Sequence, residues 1–196
     1  MTSQSTTAAP PVTLEEYAAL PQHPRYELVK GVLVQQMVAS EEHEHTGSLV
    51  VIRVGNHVLM NSLGRVYLSN RGYVTGPNSP ATSRMPDVSF VSNERLDQPE
   101  LAGMLYNGAP DLAVEILSDS NTPAEIAQKI AEYLNAGGKA VWVIDIDART
   151  LTVHTPNAPP LTLTDADTIT GADYLPGFTC PLADLLPAIA SSTNDA

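Results

Sequence analysis

Residues 111–145 read DLAVEILSDSNTPAEIAQKIAEYLNAGGKAVWVID, and this stretch decides the fold. It predicts an apolar strand over residues 112–117, a polar turn, a helix from Pro123 and a second strand over residues 140–146. The helix carries apolar side chains at helical spacing and ends at a glycine pair: Ile126, Ile130, Tyr133, Leu134, then Gly137 and Gly138. Two strands joined by a crossover helix lie side by side and parallel in one sheet. The sequence therefore predicts an α/β chain in the broad sense, with an α+β arrangement around a mixed sheet.

Glu115 is the one carboxylate inside the first of these strands. Strand side chains alternate between faces, so Glu115 shares a face with Ala113 and Leu117. The nearly continuous apolar character predicts that both faces are covered. A carboxylate there is costly unless it is paired, hydrogen-bonded or bound to a metal. Two interpretations stay open for this strand alone: a structural ion pair or ragged sheet edge, and a functional site.

Two further residues become candidates beside Glu115. Asp87 follows Pro86 at the mouth of a short apolar strand, and Lys129 flanks the apolar stripe of the crossover helix. Alone, the aspartate is a common turn residue and the lysine a common solvated one. Together, two carboxylates hold a hard divalent cation such as magnesium. Such a cation polarises a phosphoryl oxygen, and a lysine orients water, helps to deprotonate it or balances charge. The set predicts phosphodiester hydrolysis.

The chain resembles the Uma-two family of endonucleases, a branch of the PD-(D/E)XK superfamily, which is also called restriction-endonuclease-like. The resemblance covers roughly residues 13–187 as an ordered series of short segments. These segments are RYELVKG (25–31), MPDVSFV (85–91), GAPDLAVEILS (108–118), Lys129 with Tyr133, Gly137, WVID (142–145) and LPGF (175–178). The resemblance implies a restriction-endonuclease-like core, built on the strand–helix–strand crossover with added β-hairpins.

The resemblance also implies roles for individual residues of a metal-dependent endodeoxyribonuclease. Mg²⁺ or Mn²⁺ is the implied cofactor. One departure stands out, because the superfamily often has a lysine where this chain has Leu117, and the branch takes its lysine from the following helix. The implied metal ligands are Asp87 and Glu115, the implied catalytic set adds Lys129 and the N-terminal acidic residue Glu27, and the implied site histidine is His43 or His45.

Length and composition fit one domain over residues 13–187, with disordered tails predicted at residues 1–12 and 188–196. Apolar residues make up 43% of the chain, and no run of about 18 of them is present to span a membrane. The first residues lack the pattern of a secretory signal. The single cysteine, Cys180, has no internal partner and predicts a cytoplasmic protein in which it serves packing.

The charge works against a nucleic-acid partner. Net charge is −12, and DNA-binding domains usually carry a basic surface. We therefore expect weak, strongly salt-dependent binding, with DNA as the expected nucleic acid and a homodimer as a possible assembly. Arg84 either contacts a phosphate or is an ordinary surface arginine. The arginines available for a basic patch are Arg53, Arg65, Arg71, Arg84 and Arg95.

Outside the central stretch, the sequence predicts further elements, with a loop over residues 77–84 and a mostly irregular stretch over residues 92–110. Thr13 and Glu16 form a capping box for a short helix. A hairpin turns at Gly31, with Glu27 on its first strand in what is ordinarily an exposed cross-strand position. A longer helix starts after Ser40 and runs to about residue 62, where Gly64 ends it. Its predicted apolar stripe is Leu49, Ile52 or Arg53, Val54 and Leu59.

Two other functions compete with the nuclease. A non-catalytic interaction module on the same fold is favoured by the acidic charge. A sugar hydrolase would need two carboxyl groups about 5–10 Å apart, a role open to Asp87 and Glu115, although the crossover lysine counts against it.

Overall fold

The computed structural model describes residues 10–21, 25–97 and 105–188. Within these ranges, four α-helices span Leu14–Ala18 (α1), Glu41–Met60 (α2), Asn93–Leu96 (α3) and Pro123–Asn135 (α4), and a 3₁₀ turn spans Leu182–Leu185. The strands are Tyr26–Val29 (β1), Val32–Gln35 (β2), Gly64–Leu68 (β3), Gly72–Gly76 (β4), Thr82–Arg84 (β5), Val88–Ser92 (β6), Leu105–Asn107 (β7), Leu112–Ile116 (β8), Ala140–Asp145 (β9), Thr150–His154 (β10), Leu161–Thr164 (β11), Thr168–Thr170 (β12) and Thr179–Pro181 (β13).

The predicted crossover unit is confirmed as β8–α4–β9. Strands β8 and β9 are parallel neighbours, with Glu115 paired to Val143 across them. Helix α4 starts at a capping box in which Thr122 and Glu125 bond each other's backbone, and Pro123 fills the first turn. Gly137 follows with a φ of 89°, a left-handed conformation that suits glycine at a helix end.

This unit lies in a six-stranded mixed sheet of order β11-β10-β9-β8-β6-β3. One face carries the main core, where Val50, Val54 and Val58 of α2 lie in one hydrophobic cluster with side chains of β6, β8 and β9. The other face packs against α4, with Tyr133 buried among side chains of β8 and β9. Both faces of β8 are thus covered, which confirms the prediction from its apolar sequence.

A second sheet of order β2-β1-β5-β4-β7 stands beside the first. Its β1–β2 hairpin turns at Lys30 and Gly31, whose φ values of 48° and 77° fit a type I′ turn, as the Lys-Gly pair predicted. Helix α1 covers one face of this sheet through Tyr17. The N-terminal tail prediction includes Val12, whose backbone N–H donates to the Gly31 carbonyl at 2.9 Å. The rest of the predicted tails, residues 1–9 and 189–196, lies outside the described residues.

Helix α2 differs from its predicted stripe. Its buried side chains are Thr46, Val50, Val54 and Val58, whereas Ile52 and Leu59 are 59% and 77% exposed. The valines lie four residues apart, which is the spacing of one helix face, and of the three the prediction named only Val54. The helix also ends at Met60 with Asn61 as its cap, so Gly64 opens β3 instead of ending α2.

This corrected stripe makes a stability prediction. We expect Val54→Ala to lower the free energy of unfolding by about 1–3 kcal/mol, because it leaves a cavity in the core. Leu59→Ala, on the exposed face of the same helix, is expected to change it by less than about 0.5 kcal/mol. Urea denaturation of both variants measures the difference. Equal losses would contradict the observed orientation of α2.

Several short strands were missing from the sequence interpretation. Residues 82–84, predicted as loop, form β5 in the middle of the second sheet, and β7 lies in a region predicted as irregular. Strands β12 and β13 form a two-stranded ribbon ahead of the C-terminal 3₁₀ turn. Strands β5, β7, β12 and β13 have three residues each, which is too few to show the alternation of apolar and polar residues in the sequence. Cys180 on β13 is buried, which confirms its packing role.

Within the described ranges, no helix is both long enough and apolar enough to cross a lipid bilayer.

Candidate active site

The candidate residues come from five separate elements. Glu27 lies on β1, Asp87 between β5 and β6, Glu115 on β8 and Lys129 on α4, while His43 lies in the first turn of α2. The fold brings these residues together where the two sheets and α4 meet. The site therefore depends on tertiary packing of segments that are up to 102 residues apart, from Glu27 to Lys129.

Glu115 is buried and has both carboxylate oxygens bonded. Its Oε2 accepts from Lys129 Nζ at 2.8 Å, and its Oε1 accepts from Tyr133 Oη at 2.7 Å. Burial is the main cause that raises its pKa to about 7, and the charges of Asp87 and Glu27 act in the same direction, while Lys129 opposes them. Glu115 therefore forms a buried ion pair, and this pair lies among the other candidate site residues.

Lys129 turns inward from α4. Its ammonium also lies 3.6 Å from Glu27 Oε1, so it stands between two carboxylates. Burial by itself disfavours the charged form, but Glu115 and Glu27 outweigh it and raise the pKa of Lys129 above its usual value. The side chain is thus a cation at neutral pH. Lys129 is therefore not solvated in the way that lysines on helix surfaces usually are.

Asp87 and His43 form a second pair at the edge of the site. Asp87 Oδ2 accepts from the Ile116 backbone N–H at 2.7 Å and lies 3.3 Å from His43 Nε2. The same Nε2 lies 3.1 Å from the Ile116 carbonyl oxygen. Both neighbours are acceptors, so this nitrogen carries the proton. The hydrogen bond with Asp87 is the main cause that raises the pKa of His43.

The choice between the two histidines is decided by the helix. His43 reaches the site, while His45, two residues along α2, is exposed. Residues two apart on a helix do not share a face.

Glu27 is held by a buried arginine. It is 4% exposed, so its interpretation as an exposed cross-strand residue is wrong. Its Oε2 accepts from Arg84 Nη1 at 2.9 Å and its Oε1 from the Met85 backbone N–H at 2.9 Å. Arg84 also donates from Nε to Glu132 Oε2 at 2.5 Å and is 6% exposed. It is therefore neither a surface arginine nor a free phosphate contact.

Sequence reasoning missed two members of this cluster, Tyr133 and Glu132. Tyr133 was assigned to the apolar stripe, although it follows Lys129 by four residues and so shares its helix face. Glu132 follows Lys129 by three residues and was not considered. The available signal was the helical spacing from Lys129, which predicts that both side chains point toward Glu115 and its surroundings.

Two carboxylates of the cluster are the side chains that could contribute to a divalent-cation site. In the described part of the chain, no group of three or more His, Cys, Asp or Glu side chains has the geometry of a metal site. Asp87 and Glu115 remain as two carboxylates, and magnesium is commonly held by one or two carboxylates while water and substrate phosphates complete its shell. The charge balance agrees: Arg84 and Lys129 face four carboxylates, so with His43 neutral the fully ionised cluster carries two unbalanced negative charges.

The comparisons with known proteins add the family. The family model described as "Uma2: Putative restriction endonuclease" matches residues 14–183. The chain belongs to the Uma2 family. This confirms the resemblance stated from the sequence, and the family is one of nucleases by its description. No curated protein matches this Uma2 chain.

A solved structure from Anabaena variabilis ATCC 29413, described as "a putative nuclease belonging to DUF820", is similar in fold. The TM-score is 0.77 at 23% sequence identity, over 89% of this chain and 97% of that one. At this identity the likeness concerns the fold, and it confirms the predicted restriction-endonuclease-like architecture with its mixed sheets.

The raised pKa of Glu115 makes a prediction about stability. Between the unperturbed value of 4.5 and about 7, the folded protein retains a proton on Glu115 that the unfolded chain has lost. The stability of the parent should therefore fall as pH rises through this window. In Glu115→Gln that contribution is absent, while contributions from His43 and other groups remain in both proteins. Urea denaturation of the two proteins across this pH range measures the difference, and parallel curves would contradict the prediction.

Proposed function

We propose that this Uma2 protein is a metal-dependent endonuclease that hydrolyses phosphodiester bonds of nucleic acid, with DNA as the expected substrate. One observation carries the proposal: the buried Glu115–Lys129 ion pair, 2.8 Å long, lies beside the partly exposed Asp87. Buried ionisable groups with perturbed pKa values cluster at functional sites. Family membership supports the same class of reaction.

Asp87 and Glu115 would hold Mg²⁺ or Mn²⁺. When bound, the cation supplies Lewis-acid polarisation of a phosphoryl oxygen and a bound water of lowered pKa. The carboxylates are suited to this because both are hard oxygen donors and Asp87 is accessible from solvent. Repulsion of Glu115 by Asp87 and Glu27, which contributes to its raised pKa, would be relieved by a positive ion.

Lys129 would act as a fixed positive charge. Its raised pKa keeps the ammonium protonated, so it is poorly suited to remove a proton from water. An ammonium held at 2.8 Å from Glu115 instead offers hydrogen bonds to an attacking water or to a phosphate oxygen, and it stabilises negative charge that develops there. Of the roles considered for this lysine, orientation and charge balance fit the structure better than deprotonation.

His43 would hold Asp87 in place. Its Nε2–H faces Asp87 Oδ2 and the Ile116 carbonyl, so it fixes the carboxylate at the end of β8. We expect His43→Ala to reduce cleavage by roughly 10–100-fold, the usual effect of losing a group that orients a metal ligand. His45→Ala, on the exposed face of the same helix turn, should cut like the parent. Initial rates on a plasmid substrate measure both, and equal losses would contradict the assignment.

Substrate binding should be weak and salt-dependent. The net charge of −12 repels phosphates. Of the arginines proposed for a basic patch, Arg84 is buried between carboxylates, Arg53 is paired with Asp184, and Arg71 lies over the rings of Tyr67 and Tyr106. Cleavage should therefore fall steeply as salt rises. A homodimer remains a prediction.

A calorimetric titration with Mn²⁺ tests the metal site. The parent should bind the ion, and Asp87→Ala should not, while Asp184→Ala, which removes a partly exposed carboxylate paired with Arg53 outside the candidate cluster, should bind as the parent does. The melting temperature provides a second measurement, because a ligand that prefers the folded state raises it. Absence of binding in the parent, with and without DNA, would favour the non-catalytic interaction module.

A further inference from the structure

The ammonium of Lys129 has two buried carboxylates within reach. It lies 2.8 Å from Glu115 Oε2 and 3.6 Å from Glu27 Oε1. The side chains of both glutamates are almost completely shielded from solvent, so neither carboxylate is well hydrated. In such surroundings an uncompensated carboxylate attracts the nearest cation strongly. The position of Lys129 therefore depends on how well each glutamate is neutralised by other groups.

Arg84 provides that neutralisation for Glu27. Leu28 pairs with Ser83 across β1 and β5, which places Glu27 and Arg84 on the same face of the sheet as cross-strand neighbours. Arg84 Nη1 donates to Glu27 Oε2 at 2.9 Å, and the Met85 N–H donates to the other oxygen. Glu27 thus has strong donors on both oxygens before Lys129 is considered. Among the described residues, Glu115, in contrast, has only the neutral Tyr133 hydroxyl as a hydrogen-bond donor besides Lys129.

The arginine is itself anchored to the helix that carries the lysine. Arg84 Nε donates to Glu132 Oε2 at 2.5 Å, and the other oxygen of Glu132 accepts from Gln128 Nε2 at 2.7 Å. Glu132 lies three residues after Lys129, so both project from one face of α4. Helix α4 therefore fixes the lysine and the arginine relative to each other, across the boundary between the two sheets.

We propose that Arg84, anchored by Glu132, is a positioning residue. It neutralises the Glu27 carboxylate and so keeps the Lys129 ammonium paired with Glu115. Without the guanidinium, Glu27 becomes an uncompensated buried carboxylate 3.6 Å from the ammonium and draws Lys129 away from Glu115. The consequence for catalysis rests on the proposed function, whereas the placement of Lys129 does not. A merely structural ion pair would stabilise the protein without deciding which glutamate Lys129 contacts.

The composition of the chain makes this placement measurable. It has three lysines, Lys30, Lys129 and Lys139, so a protein labelled with [ε-¹³C]lysine gives three resonances. Comparison with Lys129→Arg assigns the one of interest. We expect Arg84→Gln to shift the Lys129 resonance by more than those of Lys30 and Lys139. Arg149→Gln, which removes a partly exposed ion pair with Asp165 outside the cluster, should leave the Lys129 resonance unshifted.

The glutamate partner distinguishes positioning from general loosening. In a Glu27→Gln background no carboxylate competes for Lys129, so adding Arg84→Gln should leave the Lys129 resonance where Glu27→Gln alone puts it. A folded Arg84→Gln variant with an unmoved Lys129 resonance would overturn the proposal. So would a shift of the Lys129 resonance when Arg84→Gln is added to Glu27→Gln, and that comparison stays decisive if Arg84→Gln alone does not fold. A parent that neither binds Mn²⁺ nor cuts DNA would refute the proposed function, while the resonances would still decide the placement of Lys129.

Discussion

Replacing Glu115 by Gln should reduce metal-dependent cleavage by roughly 10³-fold or more, since losing a metal ligand removes several kcal/mol of transition-state stabilisation. The fold should survive. The glutamine side chain has nearly the same shape, and its carbonyl oxygen still accepts a hydrogen bond from Lys129 or Tyr133, which now bond the two carboxylate oxygens. Glu115→Ala should be equally inactive but less stable, because it leaves a cavity and removes the nearer of the two carboxylates beside the buried Lys129 ammonium. Plasmid nicking with Mn²⁺ or Mg²⁺ measures the loss.

Glu125→Gln provides the matched control on the neighbouring helix. Glu125 is an exposed residue of α4 that closes the capping box with Thr122, and glutamine satisfies the same box. This variant should cut at the rate of the parent. If Glu115→Gln also cuts as the parent does, Glu115 is not a ligand and the proposed chemistry does not belong to this site.

Arg84→Gln should lower the free energy of unfolding by about 3–5 kcal/mol, because it leaves two carboxylates buried without their partner. Glu27 and Glu132 have side chains only 6% and 18% exposed, so water cannot replace the guanidinium. Burial acts against the charged form of Arg84, but Glu132 and Glu27 raise its pKa above the ordinary value, which means that the charge is present over the whole accessible pH range. Urea denaturation measures the loss.

Arg149→Gln is the comparison for this result. It breaks an ion pair with Asp165 that is partly exposed, and such pairs contribute about 0–1 kcal/mol. A second comparison is the double variant Arg84→Gln with Glu27→Gln. It should recover part of the stability, because one of the two buried carboxylates that lost Arg84 is removed. If Arg84→Gln costs no more than Arg149→Gln, the buried cluster does not have the energetic role assigned to it.

The crossover unit could be predicted because its information is local. Periodic apolar residues, the glycine pair after the helix and the apolar strands on either side are all read within 35 residues, and each signal agrees with the others. The unusual position of Glu115 was also visible in the local sequence, because burying a carboxylate in an apolar strand costs free energy unless it is paired or hydrogen-bonded. The capping box at Thr13 and the hairpin at Gly31 were predictable for the same reason.

The errors have a common origin in distant packing. Ile52 and Leu59 are larger and more apolar than the valines of α2, but the sheet beneath the helix decides which face is buried. Glu27 lies on a short hairpin where the sequence pattern predicts an exposed residue, but in the fold it contacts Arg84, Met85 and Lys129 from distant parts of the chain. The strands β5 and β7 are three residues long and are defined by their neighbours in the sheet.

By itself, the sequence determined the strand–helix–strand core, the family and the identity of Asp87, Glu115 and Lys129 as the candidate set. The tertiary structure decided which histidine reaches them, that Lys129 remains charged, and that Arg84 binds carboxylates in place of a phosphate. The physical reason is the range of the interactions. Periodicity, capping and turn preferences act over a few residues, whereas the ionisation and partners of a buried charge depend on every charge and dipole that the fold brings within several ångströms.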